Sequence, residues 1–341
     1  MRGPIRARAA CACLLAAAAA VVAGCGSGTS STRASEETTR PSAENATLIL
    51  DFTPNAVHTG IYAALARHDD RGHGVRLHVI APTATTDSIK LLETGRVNFA
   101  ILDIHDLAIA DDSSPTHPDL VGIMAIVQRP LAAVIAAPGV ASPRALQGKT
   151  VGITGAPSDT AVLKSTVAGS GGDPAKVKTI TIGFNAVADL LAGRVAGATA
   201  FWNDEGVTIQ SKRPGFHIFR VDDYGAPSYP ELVVCATRET LRDDPALARG
   251  VVDALVAGYD FTLAHPRQAA LDLEHQATGL DPALVSTQLS GLLPAFRGPG
   301  GRVGVLDQAT LATWAKWEAR FGIVSRPPDA AQMFDSRYTM R

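Results

Sequence analysis

Asp51-Phe52-Thr53-Pro54-Asn55-Ala56-Val57-His58-Thr59-Gly60-Ile61-Tyr62 is a polar, aromatic turn set between two apolar patterns. The run Thr47–Leu50 before it reads as a strand, and Ile61, Ala64 and Leu65 after it recur at helical spacing. Pro54 has no amide proton and biases Thr53 toward extended backbone, which ends the strand, while Asn55 suits the N-cap of the helix. A strand end facing a helix N-terminus is where open α/β sheets bind ligands. An ordinary strand-to-helix turn carrying one aromatic fits the same residues.

Outward from this stretch, β-like runs at 47–52, 75–80, 98–102, 120–127, 131–136, 150–154, 177–182, 198–201 and 231–237 alternate with helical patterns at 58–68, 85–94, 158–168, 186–192 and 203–211. The alternation predicts an α/β protein built from βαβ units with mostly parallel sheets. After Arg238 the texture is helical only, at 245–263, 266–276, 282–293 and 307–321.

Two segments correspond. Leu91-Leu92-Glu93-Thr94-Gly95-Arg96-Val97 and Leu190-Leu191-Ala192-Gly193-Arg194-Val195 each end a helix at a glycine suited to a left-handed C-cap and start a strand after Arg-Val. Two similar lobes flanking a cleft is the economical reading; the common chemistry of helix-to-strand turns is the other. The expected organisation is a signal peptide at 1–24, a lipidated Cys25 with a flexible tether at 25–46, a first lobe at 47–129, a second at 130–230, and a return to the first at 231–341.

The N-terminal part of that division rests on Arg2, Arg6 and Arg8 preceding an apolar run, Ala9 to Ala23, that is shorter than the ~20 residues of a spanning helix. It closes on Val22-Ala23-Gly24-Cys25, which resembles a bacterial lipobox and implies a membrane anchor at Cys25. Residues 26–46 are rich in Gly, Ser and Thr, a composition that does not order itself. Cys235 is then the one thiol of the mature chain, inside the apolar run Leu232–Ala236, where a packed, inert role is expected.

A formal net charge of −2 and 5% aromatic residues over 341 positions leave no basic footprint, so nucleic acid is not an expected partner. No HExxH, GxSxG or paired-cysteine zinc pattern occurs. His68, Asp69, Asp70, His73 and His78 cluster in sequence, but Gly72 and Gly74 among them mark a solvated turn, and no metal is expected there.

The more informative groups lie at strand ends. Phe52, Trp202 and Tyr224 follow apolar runs, with Asn55, His58, Asn203, Glu205, Asp222 and Asp223 close by. Aromatic faces with amides and carboxylates suit a planar, polar ring, with Phe52 and Trp202 as faces, Tyr224 as wall or edge donor, and Glu205, Asn55 and His58 as polar contacts. Gly155 and Ser158 open a helix after the run 150–154, where amides can hold a polar or anionic substituent or be capped by the chain itself. Asp103 and Asn185 also lie just past strand-like runs and are candidate contacts.

With these residues in view, the chain resembles the extracytoplasmic solute-binding lipoproteins of ABC importers in the NMT1/THI5-like group, related to thiamine-pyrimidine synthase. The resemblance runs from about Thr47 to Ala270 and is carried by Asp51–Asn55 with His58–Tyr62, Leu146–Gly152, Trp202–Gly206 and Asp222–Tyr229. It implies a two-lobed periplasmic-binding-protein fold of type II that closes on its ligand, with a hydroxymethylpyrimidine-type thiamine precursor as cargo. Relatives of the group bind riboflavin, sulfonates or other small polar compounds. Several members have Trp where this chain has Phe52, which keeps a stacking face. The implied partners are an ABC permease and ATPase, and the protein is expected to be a monomer. The synthase of the family has a histidine where His105 stands and a lysine, for pyridoxal phosphate, where this chain has Ile101. A Schiff base needs an amine, so neither enzyme activity nor a cofactor is expected.

Overall fold

The computed structural model describes residues 43–113 and 119–340. The expected signal peptide, Cys25 and nearly all of the tether lie outside these described residues. The folded part begins with β1 at Glu44, ahead of the expected start at Thr47, because Glu44 through Ile49 pair in register with Val75 through Ile80.

The first sheet is built from β1 (Glu44–Ile49), β2 (Val75–Ile80), β3 (Phe99–Asp103) and β4 (Leu120–Ala125), with helices α1 (Thr59–Ala66), α2 (Asp69–Gly72), α3 (Asp87–Glu93) and α4 (Ile104–Ser113) between them. The second holds β5 (Ala132–Ala136), β6 (Thr150–Ile153), β7 (Lys178–Thr181), β8 (Gly197–Phe201) and β9 (His217–Arg220), with α5 (Ser158–Gly169), α6 (Ala186–Leu191) and α7 (Val207–Lys212). The chain then returns through β10 (Leu232–Thr237) to the first sheet. It ends in α8 (Arg238–Asp243), α9 (Pro245–Ala264), α10 (Pro266–Gln276), α11 (Pro282–Leu292), α12 (Gln308–Arg320) and α13 (Ala330–Met333).

The two sheets have the same plan. Their orders are β2-β1-β3-β10-β4 and β7-β6-β8-β5-β9, and each contains one reversed strand, β10 or β5. Each sheet is therefore mixed, with two parallel and two antiparallel ladders. The reversed strand is the one by which the chain enters from the other lobe. It starts where its neighbours finish, so Ala132 opens β5 beside the end of β8 and Leu232 opens β10 beside the end of β3. The two corresponding glycines behave alike: Gly95 and Gly193 have φ of 66° and 68°, and each is followed by an arginine whose N–H reaches back to a helix carbonyl, at Leu91 and Asp189. These are paired Schellman caps that turn α3 into β3 and α6 into β8.

The opening turn is held from the C-terminal half. Gly258 lets α9 lie directly on α1, since a Cβ there would stand 2.0 Å from the Gly60 carbonyl oxygen. Beside it, the buried Tyr259 hydroxyl donates to the Val57 carbonyl at 2.7 Å. The final segment, unread in the sequence, seals β4: Phe334 bridges Gly122, whose missing side chain leaves room for the phenyl ring. Cys235 is buried and unpaired in β10, and burial pushes its thiol up. No helix among the described residues is long and apolar enough to cross a membrane.

The two chain crossings run side by side. Glu231, at the return, accepts the N–H of Leu131 at 2.6 Å and of Ala132 at 3.0 Å through Oε2, which fastens the outgoing crossing to the incoming one.

Candidate functional site

The strand ends of both sheets meet at a cavity of about 860 Å³, counting the space open to solvent. Of the ten residues singled out from sequence, Phe52, Asn55, Asp103, Ser158 and Glu205 line it.

The turn after β1 is rigid because its polar groups satisfy one another. Asn55 accepts the Val57 N–H at 2.9 Å, and His58 Nδ1 accepts the Asn55 N–H at 3.1 Å. That leaves the proton of His58 on Nε2, which donates to Asp51 at 2.9 Å. His58 is fully buried with both nitrogens engaged, so it aims Asp51 at the cavity instead of touching a ligand itself.

The aromatic assignment changes in the second lobe. Trp202 does not line the cavity: its indole N–H donates to the Pro130 carbonyl at 3.0 Å and the Arg220 guanidinium lies 4.5 Å over its ring. It braces the outgoing crossing. Tyr224 packs edge-on to Phe219 at 6.1 Å, outside the lining. Asn185 is exposed and closes its own turn through the Ile182 carbonyl, but its neighbour Phe184 does face the cavity. Phe184 meets Phe52 across the cleft at 4.4 Å and 73°. The pair leaves no gap between its rings for a third ring.

The rest of the wall mixes apolar side chains with polar groups, and the charged groups among them are of one sign. Asp51, Asp103, Asp106, Asp159, Asp204 and Glu205 line the cavity with hydroxyls of Thr85, Ser88, Thr154, Ser158 and Thr199, and no Lys, Arg or His is among the described lining residues. The amides of the turn that leads into α5, and the first amide of the helix, are already taken. Asp159 accepts the Gly155 N–H at 2.8 Å, Thr154 accepts that of Ala156 at 3.1 Å, and Asp106, from α4 in the other lobe, accepts that of Ser158 at 2.9 Å. Gly155 itself stays out of the lining, its φ of 99° turning the amide to Asp159.

Asp204 and Glu205 occupy a turn of π-helix, Trp202–Gly206, that joins β8 to α7. Such wide turns are rare and recur at functional sites. Asp204 accepts from Gln288 of α11 at 2.5 Å, and Glu205 accepts the Phe201 N–H at 3.1 Å. Burial pushes Asp204 up to about 6, and burial together with the Asp204 charge pushes Glu205 up to about 8. Asp106 is likewise raised by burial to about 6. Asp51, Asp106, Asp159, Phe184 and Asp204 line the cavity without being among the ten singled out from sequence; Asp51, Asp159, Phe184 and Asp204 each adjoin one of them, whereas α4, which carries Asp106, has no clear helical spacing in the sequence.

The sequence cluster His68, Asp69, Asp70, His73 and His78 does not converge; the one group of potential metal ligands among the described residues is Asp103, His105 and Glu231.

Residues 55–269 match a family model described as NMT1/THI5 like. The formylaminopyrimidine-binding protein of Halalkalibacterium halodurans is 28% identical over 300 residues, covering 86% of this chain and 90% of that protein. Among solved structures, the alkanesulfonate-binding protein SsuA of Xanthomonas axonopodis pv. citri bound to MOPS superimposes with a TM-score of 0.66 at 16% identity, over 86% of this chain and 100% of that one. The periplasmic nitrate-binding protein NrtA of Synechocystis PCC 6803 does so with a TM-score of 0.68 at 10% identity, over 88% and 87%.

Proposed function

Because the chain belongs to the NMT1/THI5-like family, we propose that it is the solute-binding component of an ABC import system that captures an aminopyrimidine, a hydroxymethylpyrimidine-type thiamine precursor, outside the cytoplasmic membrane and delivers it to a permease. The observation that carries the choice of cargo is the wall of carboxylates with no cation among them, together with the filled N-terminus of α5. A sulfonate or nitrate needs donors and positive charge; here the amides of Gly155, Ala156 and Ser158, in the turn into α5 and at its first residue, are held by Asp159, Thr154 and Asp106. An aminopyrimidine presents a ring nitrogen beside an exocyclic amine. A carboxyl group of raised pKa pairs with that edge through two hydrogen bonds whichever partner carries the shared proton, and Glu205 is the residue assigned this role. Phe52 and Phe184 supply the apolar face.

The fold supports capture by hinge closure, with no covalent step. Ile101, where the synthase of the family carries its lysine, lines the cavity with an alkyl chain. The relation to a formylaminopyrimidine-binding protein supports the same cargo class. The lipobox-like Val22–Cys25 supports a lipid anchor at Cys25 and an extracytoplasmic location.

Thermal shift of the purified domain, lacking its first 25 residues or so, tests the reading against hydroxymethylpyrimidine, its formylamino analogue, riboflavin, taurine and nitrate. Stabilisation by a pyrimidine and by neither anion is expected. If taurine or nitrate alone stabilises it, the cargo assignment fails and the binding-protein assignment stands.

A further inference from the structure

Asp103, at the cavity edge, belongs to a buried cluster whose other members, His105 and Glu231, lie outside the cavity lining. Asp103, His105 and Glu231 bring one ring nitrogen and two carboxylate oxygens within 4.8 Å of one another, and His105 and Glu231 are fully buried. The ring is oriented from its far side: His105 Nδ1 hydrogen-bonds Oε1 of Glu318 on α12, also fully buried. Nδ1 thus carries a proton, and Nε2 is the nitrogen turned toward Glu231, 3.8 Å from its Oε1. The Tyr229 hydroxyl stands 3.0 Å from the same nitrogen. A histidine whose outer nitrogen donates to a carboxylate while its inner nitrogen faces acidic oxygens is the arrangement by which proteins orient a metal ligand.

A second observation is independent of the clustering. Oε1 of Glu231 is buried and has no hydrogen-bond partner, although Oε2 of the same carboxylate takes two backbone amides. Buried carboxylate oxygens are ordinarily paired, because removing one from water without a donor is costly.

We propose that Asp103, His105 and Glu231 form a site for one divalent cation of the kind that accepts mixed nitrogen and oxygen ligands, with Zn²⁺ the best match and Glu318 holding the imidazole from behind. The ligands come from the end of β3, the start of α4 and the return crossing. Glu231 also grips the outgoing crossing, so an ion here fixes both chain crossings about which the lobes turn.

The test uses metal content and metal response, neither of which depends on the pyrimidine. Purified protein, stripped with EDTA and dialysed against ZnCl₂, is expected to retain one equivalent of zinc by mass spectrometry. Zn²⁺ at ~100-fold excess over its Kd should raise the melting temperature by about 3 °C or more, with MgCl₂ as comparison. Co²⁺ in place of zinc should give a visible absorption band. His105→Asn and Asp103→Asn should each weaken Zn²⁺ binding more than tenfold. Asp103, at the cavity edge, keeps the test usable where the His105 variant does not fold. Absence of stoichiometric zinc with no thermal response, or unchanged affinity in the variants, overturns the proposal and leaves protons as the neutralising charge. The pyrimidine thermal shift, run on stripped protein, reports on the cargo separately.

Discussion

The carboxylate of Asp106 accepts the backbone N–H of Ser158 at 2.9 Å, so an acidic side chain of one lobe caps the first helix of the other. The contact crosses the cleft, as do Phe52 against Phe184 and Asp204 against Gln288. In a two-lobed binder these contacts exist only when the lobes are together, so they tune how much of the ligand's binding free energy is spent on closing. Asp106 also places negative charge at the positive end of α5, the position an anionic ligand would otherwise occupy.

Removing that cap should weaken ligand binding without touching the ring-binding groups. Hydrogen bonds to charged groups contribute about 1.5–3 kcal/mol, so Asp106→Ala is expected to lower pyrimidine affinity by roughly 10- to 100-fold. Asp106→Asn, which keeps an acceptor oxygen, should lose far less. Isothermal titration on the two variants measures the difference; equal affinities for Ala and wild type would mean that the contact plays no part in closure.

Asp106 and Asp204 are raised to about 6 and Glu205 to about 8, all above their ordinary carboxylate values. The folded protein therefore keeps these protons where the unfolded chain has already released them. Their linkage makes the ligand-free protein most stable below about pH 4, less so as pH rises through about 6, and less again toward about 8. A melting-temperature series from about pH 5 to about pH 8.5 should fall, with His105, raised to about 10, adding to the decline above about pH 6.5, and Glu205→Gln should make the fall between about pH 7 and about pH 8 shallower. A series that rises with pH, or a Gln variant that parallels wild type, would contradict the assignment of a raised Glu205 carboxyl.

How much of this was readable in the chain depends on how local the signal is. The two Schellman glycines, Gly95 and Gly193, declare themselves because the cap is written in adjacent residues, and so does the capping turn at Asn55. β9 has no such signal: His217–Arg220 is a four-residue edge strand in which only Phe219 is buried, too short for an alternation to register. α4 was missed because its apolar positions Ile104, Leu107 and Ala108 are masked by Asp106, Asp111 and Asp112, although Asp103 receives the His105 N–H at its start. Trp202 and Tyr224 were misplaced for a different reason. A strand end says that a side chain is near a cleft, but whether an indole faces ligand or braces a crossing is decided by distant partners, here Pro130 and Arg220.

That distinction is measurable. Phe52→Ala and Phe184→Ala should each reduce pyrimidine affinity about 2- to 12-fold, in line with ~0.5–1.5 kcal/mol per aromatic contact beyond area burial. Trp202→Ala should act mainly on stability, lowering the urea midpoint, because it frees the Pro130 carbonyl and uncovers Arg220. Larger losses of affinity at Trp202 than at Phe184 would return the indole to the ligand wall.

The repeated caps permit a paired experiment. At Gly95 and Gly193 a Cβ meets nothing within 4 Å, so only the positive φ penalises alanine. Each substitution should cost about 1 kcal/mol by chemical denaturation, and the two costs should be similar. A marked inequality would mean that the two caps, despite matching hydrogen bonds, are not equivalent in the folded protein.

His58 is the residue whose assigned role changed most, from ligand contact to internal brace, and its substitution separates the two. In the brace role His58→Ala leaves the Asn55 N–H without an acceptor and Asp51 without its donor, all in a buried turn. Losses of this kind are worth about 1–3 kcal/mol for each stranded group, so a stability loss of roughly 3–5 kcal/mol is expected by urea denaturation. Affinity should fall as well, because Asp51 and Phe52 lose their fixed positions. A ligand-contacting histidine would give the opposite division, with affinity lost and the denaturation midpoint kept. His58→Gln, whose side-chain amide can both accept from Asn55 and donate to Asp51, should recover part of the stability in the first case and little of the affinity in the second.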